Sequence, residues 1–184
     1  HQPWEDRLPG VNAWFSTEFN RHNTWFDQGR AWIDYYRRAH FLLQQGEHVA
    51  DVAYFIGEDT PKMTGARKPE LPPGHDFDYI NAEVIEGRLR ADGGRLVLPG
   101  GKSYRILVLP DVDTMRPAVL RKIRDLAADG GAILGQPPSR SPSMKGYPDC
   151  DADVRRFAEE LWSGCDGKLA TRGALGKGTV FRGT

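Results

Sequence analysis

Acidic, glycine-rich and sulfur-bearing residues fall at a few places where chemistry could be done. Glu58 and Asp59 follow the apolar run Val49-Ala-Asp-Val-Ala-Tyr-Phe-Ile56, and Asp111 and Asp113 follow Arg105-Ile-Leu-Val-Leu109. Carboxylates at neighbouring strand ends can hold magnesium, as in receiver domains. A receiver also needs a lysine at a later strand end, and Gly135-Gln-Pro offers none. Asp111 and Asp113 therefore read as turn-ordering residues, and Glu58 and Asp59 as solvated loop residues. A receiver-like or nucleotide-binding domain is the weaker alternative. Gly101-Lys-Ser103 echoes the end of a P-loop, but the glycine which that motif requires upstream is replaced by Leu96. Gly173-Ala-Leu-Gly-Lys-Gly178 precedes an expected strand, whereas a phosphate cradle precedes a helix, so it reads as a turn. The loop Gly57-Glu-Asp-Thr60 is acidic and would repel a phosphate, which disfavours a flavin or dinucleotide. Cys150 and Cys165 flank an expected helix of about 14 residues, which holds them about 20 Å apart. That is beyond disulfide reach, so two free thiols are expected.

The elements that position these residues alternate strand and helix. Strands are expected over 48–56, 105–109, 131–134 and 179–182, with a small hairpin at 88–90 and 95–98 around Asp92-Gly93-Gly94. Helices are expected over 78–86, 117–128 and 151–163; the second carries Pro117 in its first turn. This alternation implies an α/β fold, a parallel sheet with helices on both faces. The scaffold is flavodoxin-like, or like a class I glutamine amidotransferase. The amidotransferase nucleophile is missing, because Pro110-Asp-Val-Asp113 and Gly135-Gln-Pro-Pro138 hold no cysteine.

Residues 1–46 differ in character. They hold ten of the nineteen aromatic residues, including Trp4, Trp14, Trp25 and Trp32, and this shift marks the clearest domain boundary. A helix is expected from Thr24 to Gln45, with Thr24 and Asp27 as a capping box and Gly46 as its stop. It is aromatic on more than one side, and such a helix is usually buried by a neighbour. The opening His1-Gln-Pro-Trp4 has no methionine, which reads as a processed or excised piece. Lysine plus arginine balances aspartate plus glutamate at 25 each, so nothing draws the chain to nucleic acid or an anionic membrane. No apolar run approaches the roughly 20 residues of a membrane helix.

Several separated phrases, in order, are similar to glycoside hydrolase family 106, the α-L-rhamnosidases. They are His1-Gln-Pro, Glu18-Phe-Asn-Arg-His-Asn-Thr-Trp25, Leu42-Leu-Gln-Gln-Gly46, Val49 to Glu58, His75-Asp-Phe-Asp-Tyr-Ile-Asn81, Leu96 to Arg105 and Ser141 to Pro148. The resemblance spans residues 1 to about 180 and implies a catalytic (β/α)8 barrel followed by an amidotransferase-like α/β domain. Residues 1–46 would be the C-terminal tail of the barrel and residues 47–184 the accessory domain. An inverting, calcium-dependent parent is implied, secreted or periplasmic, acting on a carbohydrate substrate.

Inverting glycosidases use two carboxyl groups, an acid and a base. The resemblance makes Glu18 the candidate general base, among Trp14, Asn20, Arg21, His22 and Asn23 as substrate-binding residues. The partner carboxylate is expected outside this chain. The plainer alternative makes Glu18 a loop residue paired with Arg21. Trp25, at helical spacing, reads as core rather than as a sugar platform; Trp14 stays open between the two. No compact acidic loop supplies the oxygen ligands of calcium, so no metal site and no cofactor are assigned to this chain. Alone it is expected to be inactive. The alternative is a structural or oligomerisation module without catalysis, forming a homo-oligomer.

Overall fold

The computed structural model describes residues 25–58, 65, 67–168 and 171–183. The chain forms two compact units, His1–Glu47 and His48–Thr184, divided within a residue of the shift in composition.

In the first unit a 3-10 turn over Phe26–Gln28 leads into helix α1, Gly29–Leu43. Thr24 of the expected capping box lies outside the described residues; the α-helix proper begins after Gln28, with no side-chain cap. Trp32 and Tyr36, one turn apart, bring their rings to 4.3 Å. Trp32, Ile33, Tyr36, Phe41, Leu42 and Leu43 are all exposed, Leu43 by 80%. Large apolar side chains left in solvent on more than one side of a helix form a surface built for burial.

The second unit is a six-stranded sheet with a three-stranded satellite. In chain order its elements are β1 (Val52–Phe55), β2 (Phe77–Ile80), α2 (Ala82–Gly87), β3 (Arg90–Asp92), β4 (Arg95–Val97), β5 (Ser103–Tyr104), β6 (Ile106–Val108), α3 (Pro117–Ala128), β7 (Ala132–Gly135), α4 (Cys150–Leu161), β8 (Arg172–Leu175) and β9 (Gly178–Arg182). The main sheet runs β2-β1-β6-β7-β9-β8, parallel except for the last pair. The satellite β3-β4-β5 is antiparallel. Gly93 and Gly94, both at positive φ, form the two-residue loop that the hairpin signal anticipates.

The expected helix over 78–86 is corrected. Residues 77–80 are a strand, and the helix starts only at Ala82. Phe77 and Tyr79 alternate with Asp78 and Ile80, a period of two, and pair in parallel with β1. Asn81 then caps α2, its side chain accepting from the Val84 N–H at 3.0 Å. Strands β5 and β8 carry no sequence signal strong enough to be expected. The turn reading of Gly173–Gly178 holds: it is the β8–β9 hairpin, with Gly176 at positive φ.

Helices lie on one face of the main sheet rather than on both, among the described residues of this unit. Ile85 of α2, Leu120 and Ile123 of α3, and Val154 and Leu161 of α4 share one core with Ala53, Phe55, Leu107, Ile133 and Val180. Val52, Tyr54 and Val108 point the other way, joined by Leu71, Phe77, Ile106 and Leu134. Parallel crossovers are right-handed. The paths β2–α2–β6, β6–α3–β7 and β7–α4–β9 all step in one direction along the sheet, so their helices fall on one side. Only β1 to β2 steps back, and its connection carries Leu71 to the opposite face.

Candidate functional site

In open α/β sheets ligands bind at the carboxyl ends of strands, where the order reverses. Here that point lies between β1 and β6. Glu58, just past β1, is taken by Arg116, the residue before α3. The Arg116 backbone N–H donates to Glu58 Oε2 at 2.9 Å, and its guanidinium Nε donates to Oε1. The same guanidinium donates to Glu86 Oε2 at 3.0 Å. The Glu58 hydrogen bond raises the Arg116 pKa further, against the effect of burial. Glu58 is therefore no solvated loop residue: its side chain is 8% exposed. At the ends of β6 and β7, Lys68, Pro69, Asp111 and Gly135 line a space of only about 10 Å³. A water molecule scarcely fits such a space. In the described part of the crevice that holds a nucleotide or flavin in related sheets, Glu58 is engaged by Arg116.

Asp113 ties its loop to the loop after β7 rather than ordering its own turn. Its Oδ1 accepts from the Ser139 N–H at 3.1 Å, and its backbone oxygen accepts from Ser139 and Arg140. Asp59 lies outside the described residues. Lys102 of the P-loop echo donates to Asp78 Oδ2 at 2.8 Å, and Ser103 accepts from Arg95. Neither is available to a phosphate. Tyr104 also donates to Asp78, at 3.0 Å. Burial works to raise the Asp78 pKa, but the bonds from Lys102 and Tyr104 outweigh it and hold the carboxyl low. Burial, then Asp78, push the Tyr104 phenol upward.

Cys150 and Cys165 are free and buried. Burial pushes the Cys165 thiol upward, away from the thiolate a nucleophile needs. Among the described residues no group of three or more His, Cys, Asp or Glu could hold a metal ion.

At the amino ends of the strands lies a cluster that sequence reasoning missed. Asp51, ahead of β1, accepts from His75 Nδ1 at 2.7 Å and from Arg105 Nε at 2.9 Å. His75 leads into β2 and Arg105 into β6, so one carboxylate ties three strand entries. The His75 hydrogen bond holds the Asp51 carboxyl below its usual range; Arg105 adds to this. No sequence spacing signals the cluster, because its members meet only through strand register. A pocket of about 490 Å³ also escaped the sequence; it lies between the end of β7, α4 and Arg182 of β9.

The site residues expected from the resemblance, Trp14, Glu18, Asn20, Arg21, His22 and Asn23, lie outside the described residues. Trp25 does not: it is 37% exposed beside the 3-10 turn, so it is not core within its unit.

The second unit is thus an α/β domain with the Glu58–Arg116 ion pair at the point where its strand order reverses. Over residues 1–184 the chain matches the family model described as alpha-L-rhamnosidase, and it belongs to that family, glycoside hydrolase family 106. A solved structure, the rhamnosidase from Novosphingobium sp. PP1Y, is 33% identical with a TM-score of 0.77, over 97% of this chain and 17% of that one. A protein of Formosa agariphila named "Putative beta-glucuronidase" is 43% identical over 164 residues, covering 88% of this chain and 14% of its own length. The chain thus spans less than a fifth of either relative.

Proposed function

We propose that this chain is part of a larger glycoside hydrolase that cleaves α-L-rhamnosidic bonds, and that the chain alone is inactive. The observation that carries this reading is the family match along the whole chain, together with its likeness to one sixth of a rhamnosidase. On this reading residues 1–46 are the tail of the catalytic barrel. Glu18 is the general base, drawing a proton from the attacking water, with Trp14, Asn20, Arg21, His22 and Asn23 around the sugar. The general acid comes from elsewhere in the parent, about 6.5–9.5 Å away, which leaves room for water and gives inversion. Calcium belongs to that parent site.

The second unit is an accessory domain. Its parallel strands, taken alone, follow the 2-1-3-4-5 order of flavodoxin-like sheets, which supports an amidotransferase-like ancestry. The engagement of Glu58 by Arg116 and the lack of a cysteine in Pro110–Asp113 and Gly135–Pro138 fit a scaffold that no longer binds small molecules there.

The name of the Formosa relative supports a second substrate, a β-glucuronide. One experiment separates the two. Hydrolysis of an aryl α-L-rhamnoside and an aryl β-glucuronide is measured for the full-length parent and for this chain, each with Glu18 and with Glu18→Gln. Rhamnoside turnover by the parent alone, falling by about 10³-fold or more on substitution, is expected. Turnover by the short chain would overturn the inactivity; turnover of the glucuronide alone would overturn the substrate.

A further inference from the structure

The pocket beside Arg182 has a makeup the fold does not require. Its apolar wall is Pro137, Pro138, Ala158 and Trp162; Arg155 and Arg182 bring guanidinium groups, and Glu159 and Asp166 bring carboxylates. It sits at the carboxyl ends of β7 and β9, the side of the sheet where such domains hold ligands. At about 490 Å³ it is in the size range of a small-molecule site.

Two observations show donors only partly met by the protein. The Arg182 guanidinium reaches Gln136 Oε1 at 3.5 Å and the Cys165 carbonyl at 3.4 Å, and Arg155 reaches the Ser139 carbonyl at 3.5 Å. These are at the weak limit of hydrogen bonding, and all three acceptors are neutral. Arg124, by contrast, holds Glu160 at 2.5 Å. Second, Trp162 is 4% exposed and its indole N–H has no hydrogen-bond partner among the described residues. Such a donor is costly and rare; the atom is closed to solvent, so a ligand in the pocket would meet the Trp162 ring, which lines the wall, and be reported by its indole signal. Gly167, at positive φ, lies against the Arg182 stem: a Cβ there would come within 3.0 Å of Arg182 Cδ. That close approach fixes where the guanidinium points.

We propose that this pocket is an ancillary saccharide-binding site, separate from the Glu18 region and without catalysis. Two guanidiniums and two carboxylates balance in charge, which disfavours a simple anion or cation. Sugar hydroxyls both donate and accept, so a polyol meets carboxylates and guanidiniums together. The C–H face of a pyranose packs on the proline and alanine wall. The inference rests on the glycoside hydrolase reading for the class of ligand, and on the pocket for its place.

The test uses the 184-residue chain. Methyl α-L-rhamnoside, and separately a glucuronide, are titrated while the indole N–H resonances are followed by NMR; Trp162→Phe assigns the Trp162 signal. A shift of that signal, with a Kd in the millimolar range suited to an open site, is expected. Arg182→Ala and the exposed-site variant Arg155→Ala should each weaken binding about tenfold, with the remaining resonances in place. An unmoved Trp162 signal, or binding unchanged in both arginine variants, would overturn the proposal. Failure here leaves rhamnoside hydrolysis by the parent untouched, so the two readings fail separately.

Discussion

Arg116 holds Glu58 from two directions, with its backbone N–H and with its guanidinium, across the point where the strand order of the sheet reverses. The contact joins the end of β1 to the start of α3 and continues to Glu86 at the end of α2. A carboxylate so enclosed depends on its partner.

Arg116→Ala should therefore destabilise the chain by about 2–3 kcal/mol, because it leaves the Glu58 carboxylate with only the backbone N–H of residue 116. Glu58→Gln should cost less, since the amide oxygen still accepts from the Arg116 N–H. Urea midpoints of the two variants check this order; a larger loss in Glu58→Gln would contradict it. Neither magnesium nor a nucleotide should raise the melting temperature of the wild-type chain.

Acid should weaken the second unit through Asp51 and Asp78. Both carboxyls are held below their ordinary values. Protons therefore bind the unfolded chain first as the pH falls. The stability these groups contribute is present in full above about pH 4 and is lost as the pH drops through their lower folded values. Asp51→Asn and Asp78→Asn should each flatten the acid limb of stability against pH. Denaturant unfolding between neutral pH and about pH 2 measures it; parallel curves for variant and wild type would refute the assignment.

Removing the first unit should improve solution behaviour. Every residue of the two buried cores lies between Ala50 and Val180, so residues 48–184 carry a core of their own. The exposed aromatic and aliphatic face of α1 should drive the whole chain into oligomers, while residues 48–184 stay monomeric. Light scattering after gel filtration compares the two; identical monomers would count against it.

Gly178 should tolerate no side chain. A Cβ there would lie 2.1 Å from the Ala127 carbonyl and 2.3 Å from that of Gly131, both backbone atoms. Gly178→Ala should cost about 3 kcal/mol or more, read as a lowered thermal midpoint. Gly74→Ala, with open space around it but a positive φ, should cost only about 1 kcal/mol.

Much of the fold is legible in the sequence because burial leaves a pattern. β1, β6 and β7 read as apolar runs, and α3 and α4 as helical stripes whose inward residues, from Val119 to Ala127 and from Val154 to Leu161, are those buried in the structure. Phe77–Ile80 reads wrongly as helix because a short amphipathic strand runs straight into one, with only the Asn81 cap between them. Single-faced helix packing follows from strand order and crossover handedness, which no local window contains. The Glu58–Arg116 and Asp51–His75 contacts join residues distant in sequence, so spacing could not reveal them. The role proposed for Glu18 rests on the resemblance of its flanking phrase alone, since Glu18 lies outside the described residues.

The position of β1 also bears on how the chain acquires its shape during synthesis. Val52 lies between Phe77 and Ile106 in the finished sheet. The first strand made in this sheet is thus an interior one, and its neighbours emerge from the ribosome only later, on either side. Until Ile106 is available, one edge of Val52–Phe55 has no strand to pair with. The long interval between partners makes this a slow, non-local step.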